Sequence, residues 1–166
     1  MSLVLLALST LSSQEMIPAP SQRDQALICE ASTLWASASD DIWPAASEVR
    51  APIVFIDPRY EYAVNFPSSL AGFTNLGESL KCGAHLQARK RTLAIDLSAS
   101  FSLEGVPAAV MGTPEALGKN AAEWVLTLAH EMFHVFQASR GSYAKVASLE
   151  IGGRDDNSWQ LNFRFP

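Results

Sequence analysis

The chain has 166 residues, of which 48% are hydrophobic, enough to bury one sizeable core and a length that suits one domain better than two. A net charge of −5, with no basic run beyond residues 89–91, excludes the electrostatic footprint of a nucleic-acid binder. The longest apolar run, residues 3–8, is far too short to cross a bilayer, so no stable membrane insertion is expected.

That run is followed by the small polar residues 9–13 and has the form of the apolar core and tail of a secretory signal, although no Lys or Arg precedes it. The expectation is an extracytoplasmic location, periplasmic or secreted; the alternative is an ordinary frayed N-terminus. Residues 14–22 contain Pro18 and Pro20 and no periodicity, so they read as a linker. Residues 1–21 are therefore taken as leader and linker, and residues 22–166 as the folded domain. From about Asp24 to Ala38, Leu27, Ile28, Leu34 and Trp35 recur at helical spacing, and the helix is expected to end at the Asp40 and Asp41 turn before Trp43 and Pro44. Residues 51–57, APIVFID, are β-branched and bounded by prolines, which suits a strand, and a second strand is expected over residues 60–64. Residues 66–84 read as loop with short pieces of structure, and RTLAIDLS, residues 91–98, as a strand. In the segment 105–120, Gly and Pro bracket the apolar residues 108–111, which suggests a short edge strand. Asn120 and Glu123 then have the spacing of a capping box, apolar sequence runs to about Ser139, and Gly141 stands where a C-terminal cap belongs. Cys29 and Cys82 match no zinc-knuckle pattern. They suit one disulfide in an exported protein and two buried thiols in a cytosolic one.

The stretch AHEMFHVF, residues 129–136, holds the chemistry. At about 100° per residue, Gln137, His130, Glu123, His134, Thr127, Asn120 and Glu131 fall in one arc of about 120°, and every other position of the helix is apolar. The stripe has no Lys or Arg, so it is expected to line a cleft. Histidines at i and i+4 project one turn apart from one face and can converge on one Zn²⁺ at about 2.0–2.1 Å. Glu131 is offset enough not to be a ligand, yet near enough to take a proton from water acidified by the metal as that water attacks a polarised carbonyl. One turn of helix thus provides two ligands and a base. Set against this is the plain alternative of two histidines satisfied within a structural helix.

VLTLAHEMFHVFQ resembles the active-site helix of the zincin metallopeptidases, and the strand and GVPAAVMGTPE before it resemble the sheet and edge strand of that fold. The resemblance extends over residues 91–139. Trp43 and Pro44 add a weaker likeness to bacterial zincin-like proteins of the HExxH type. It implies an α+β fold of zincin-like type, in which a small mixed or antiparallel sheet packs on a long active-site helix. It also implies Zn²⁺ as cofactor, His130 and His134 as its ligands, Glu131 as general base, and a peptide or protein substrate bound to the edge strand by strand addition. Gln137 and Arg140 stand where the metzincin subgroup needs Gly and His, which excludes that subgroup and leaves a gluzincin-like arrangement or one with an aspartate as third ligand.

The third ligand is open. Glu150, Asp155 and Asp156 are the candidates within the chain, but the sequence stops on SWQLNFRFP, an apolar strand-like segment, so the domain is expected to be incomplete at its C-terminus, with the ligand beyond residue 166. His85 reads as a surface histidine, with a supporting or substrate-binding role as the alternative. Trp159, Phe163 and Phe165 read as packing residues. The competing reading of the whole chain is a catalytically inactive zincin-like domain with an incomplete metal shell that serves in binding or interaction.

Overall fold

The computed structural model describes residues 16–78 and 80–142. Glu150, Asp155, Asp156, Trp159, Phe163, Phe165 and most of the leader lie outside the described residues. The elements run α1 (Gln22–Ile42), β1 (Ile53–Ile56), β2 (Tyr60–Val64), β3 (Thr74–Glu78), β4 (His85–Lys90), β5 (Ser98–Leu103), β6 (Val106–Gly112) and α2 (Ala121–Ser139). The six strands make one mixed sheet in the order β3-β4-β2-β1-β6-β5, parallel only between β1 and β6. The fold class is α+β.

Both helices pack on one face of this sheet. Because strand side chains alternate, Ile53, Phe55, Tyr62, Val64, Leu86 and Met111 point to the helices and meet Ile28, Trp124, Leu128 and Met132 in the main core. Val54, Ile56, Ala63, Ala108 and Val110 point the other way. No helix covers that second face among the described residues. Loops do so instead, with Phe66, Leu70, Leu93, Ile95 and Leu97 packed onto it. This explains why β1 and β2 are buried at every position and why β1 reads as continuous apolar sequence.

α1 starts at Ser21, whose Oγ accepts from the Asp24 amide, and extends to Ile42, four residues past the expected end at Ala38. Asp40, expected in a turn, remains helical; its carboxylate accepts from the amide and hydroxyl of Ser47 and so folds the following turn back onto the helix. Ahead of α1, Ile17 packs against the core, Pro20 is buried and the Pro18 carbonyl accepts from the Tyr62 hydroxyl. A disulfide joins Cys29 of α1 to Cys82 in the β3–β4 turn, which settles the cysteine pairing.

Residues 91–98 are not a strand. Residues 91–97 form a loop, β4 ends before it, and β5 begins only at Ser98. The amides of Thr92 and Leu93 donate to the buried Glu61 carboxylate and not to a neighbouring strand, while Leu93, Ile95 and Leu97 alternate onto the second core. Alternation of apolar residues here marks a loop pressed on a sheet face. The loop approaches so closely that a Cβ on Gly112 would lie 1.7 Å from the Ile95 carbonyl oxygen. Residues 108–111 belong to a strand, β6, but not to an edge strand. β5 pairs on its far side and is the margin of the sheet.

Candidate metal centre

α2 begins as its sequence predicts. The Asn120 side chain accepts from the Glu123 amide and the Glu123 carboxylate accepts from the Asn120 amide, so two otherwise orphaned donors are satisfied at the helix start. Trp124, fully buried, fixes the helix to the sheet: its indole N–H donates to the Gly112 carbonyl at 2.8 Å and its ring stands edge-on to Phe55. At the other end, Gly141 takes the left-handed conformation at φ 69° that ends the helix. These two anchors set the rotation of the helix and hence where its polar stripe faces.

On that stripe, His130 and His134 turn towards each other. Their Nε2 atoms are 3.0 Å apart, with ring planes at 89°. Two imidazole nitrogens bound to one tetrahedral zinc at about 2.0–2.1 Å lie about 3.3 Å apart, so this separation, here a hydrogen bond, is within a few tenths of an ångström of that between two such ligands. The Nδ1 of His134 is 2.9 Å from the Gln137 Oε1. With Gln137 accepting, Nδ1 of His134 carries the proton and its Nε2 accepts a hydrogen bond from the Nε2–H of His130. His130 is exposed and His134 is half-buried, so the two rings are at the surface of the helix layer and are not stacked in hydrocarbon.

Glu131 differs from its neighbours on the stripe. It is only 8% exposed and turned towards β5, where it accepts one long hydrogen bond, 3.4 Å, from the Ser98 hydroxyl. That is its only hydrogen bond among the described residues. The expectation of a single polar stripe lining a cleft is therefore corrected: the stripe divides, with the carboxylate tucked beneath the edge strand and the two imidazoles open. The apolar remainder of the helix is also not uniformly buried. Ala121 and Ala122 are exposed and Leu126 is 62% exposed. Leu126, Ala129, His130 and Phe133 instead form one side of a groove of about 380 Å³ whose other side is α1.

The structure brings His130, His134 and Glu131 together, and adds Gln137 and Ser98. Gln137 stood in the predicted stripe without a role; its i+3 spacing from His134 was the signal for it. Ser98 had none, because only the sheet brings it to Glu131 across 33 residues. His85 opens β4, is exposed and lines a separate cleft with Arg50 and Asn65. Among the described residues no group of three or more His, Cys, Asp or Glu converges, whereas a catalytic zinc site takes three protein ligands. Comparison of the chain with family models, with curated proteins and with solved structures finds no match.

Proposed function

We propose that this chain is a zinc-dependent hydrolase of zincin-like type, a metallopeptidase in which His130 and His134 hold the metal and Glu131 is the general base. The observation that carries the reading is the approach of the two Nε2 atoms to 3.0 Å with a buried, under-satisfied carboxylate one residue on. The donor types fit zinc: two imidazoles, one of them oriented by its hydrogen bond with Gln137. When bound, zinc supplies Lewis-acid polarisation of a carbonyl and makes a water more acidic. Glu131, largely buried, takes the proton from the attacking water and delivers it to the leaving amine. The Ser98 hydroxyl orients that carboxylate. β5, the margin of the sheet beside Glu131, offers its outer edge to an extended peptide, a role first expected of residues 108–111.

The Cys29–Cys82 disulfide supports an extracytoplasmic location for this enzyme. Among the described residues no helix is long and apolar enough to cross a membrane.

The test is metal content and turnover together. The full chain is expected to bind zinc one-to-one, to lose it in His134→Ala and to keep it in Glu131→Gln while peptide hydrolysis falls. A fully folded chain that takes up no zinc would remove the hydrolase reading. That result would favour the second reading, an inactive binding domain, which the pair of ligands without a third among the described residues supports.

A further inference from the structure

We propose that the groove between α1 and α2 is the specificity site of this hydrolase and receives a bulky, uncharged apolar side chain of the substrate next to the reacting carbonyl. The proposal rests on the metal-site reading and adds a substrate class to it. Around α2, the angular order runs from the buried Glu131 on the β5 side, through His134 and His130, to Leu126, Phe133 and Ala129 on the α1 side, at about 100° per residue. His130 belongs to both parts: its Nε2 faces His134, and its ring forms a wall of the groove. A substrate whose carbonyl lies over the two imidazoles, with Glu131 on one flank, therefore has the groove on its other flank.

The lining decides what enters. Opposite Leu126, Ala129 and Phe133 stand Leu34, Trp35 and Ala38 of α1, and among the described lining residues there is no Asp, Glu, Lys or Arg. A charged group there would lose its hydration without a partner, whereas an aromatic or branched aliphatic group exchanges water for apolar surface. At about 380 Å³ the groove has room for one such side chain with space around it. Its mouth is apolar as well, with Leu126 62% exposed and Ile42 78% exposed. Ser39, also in the lining, is buried, and its Oγ has no hydrogen-bond partner among the described residues. Apart from the His130 ring, the wall therefore offers the Ser39 hydroxyl and no Asp, Glu, Lys or Arg charge.

Amino-acid hydroxamates make a direct test, because the hydroxamate anchors on the metal and only the side chain varies. In the zinc-loaded full chain, phenylalanine hydroxamate is expected to bind at least about ten-fold tighter than glycine hydroxamate, and glutamate hydroxamate no tighter than glycine hydroxamate. In Ile42→Asp, a change at an exposed position on α1 that puts a charge at the mouth, the phenylalanine advantage should vanish while zinc content and glycine hydroxamate affinity stay unchanged. Ala129→Phe, which fills the groove from within, should do the same. Equal binding of phenylalanine and glycine hydroxamates, or a preference that survives both variants, overturns the groove assignment and leaves the metal site standing. Failure of the chain to take up zinc overturns both.

Discussion

Two buried glutamates differ in how fully this fold satisfies their carboxylates. Glu61, on β2, is fully buried, and its carboxylate accepts from the Arg89 Nε at 2.7 Å, from the Thr92 hydroxyl at 3.0 Å and from the amides of Thr92 and Leu93. Glu131 is almost as buried, yet it has one long bond from Ser98. A carboxylate whose acceptor sites are filled is a clamp: it holds the 91–97 loop against the sheet and has nothing left to offer a ligand. The Glu131 carboxylate has acceptor capacity to spare, and its second oxygen, which is not buried without a partner, remains open to water or a ligand. Burial is common to both; satisfaction distinguishes them.

That contrast can be broken in either direction. Glu131→Gln is expected to reduce hydrolysis by about 10³-fold while leaving the unfolding midpoint within a degree or two, measured by peptide turnover and thermal melting on the same preparation. Glu61→Gln should do the reverse, because its amide sets a donor against donors, and is expected to cost about 3 kcal/mol in urea unfolding. If Glu131→Gln destabilised the fold as much as Glu61→Gln, the two groups would be the same kind of thing and the comparison would fail.

Acid sharpens the same distinction. Burial alone would raise the pKa of Glu61, but the hydrogen bonds from Thr92 and Leu93, with those from Arg89, outweigh it and leave it below its ordinary 4.5. A carboxyl with a lower pKa in the folded than in the unfolded chain stabilises the fold fully above the unfolded value, and that contribution is lost as pH falls through the folded one. The stability gap between the wild type and Glu61→Gln is therefore expected to be widest above about pH 5 and to close as the solution is acidified. A gap that stayed constant to low pH would show that Glu61 is not held as the anion.

Gly112→Ala should cost about 2 kcal/mol, since the new methyl overlaps the Ile95 carbonyl and must push the clamped loop away. The smallest expected effect is Asn120→Ala, about 1 kcal/mol, because it removes one cap bond at the start of α2. Both are read from denaturant unfolding. The first should also disturb hydrolysis, through Ser98 at the end of the loop, and the second should not.

What the sequence made legible was local. β1, β2 and α2 with its capping box follow from β-branched runs, proline boundaries and an Asn-x-x-Glu spacing, all of which act within a few residues. The two histidines were legible for the same reason, since i and i+4 share a face. The 91–97 loop was not, because its alternating Leu93, Ile95 and Leu97 satisfy the strand pattern while its amides bond to a glutamate about thirty residues earlier. β5 was missed because SASFSL is small and polar, as the margin of a sheet tolerates, and β3 because Gly77 interrupts its register with a bulge. The groove beside His130 exists only where α1 meets α2, and no spacing within either helix encodes it.

The bond between Cys29 and Cys82 has an environmental consequence. It closes a span of 53 residues and ties the helix that walls the groove to the far hairpin, so it removes loop freedom from the unfolded chain and steadies one side of the cleft. Under a strong thiol reductant the helix loses that tether first, and the protein should become easier to melt before its histidine pair is touched. The surroundings in which this chain finds itself thus set how firmly its cleft is framed.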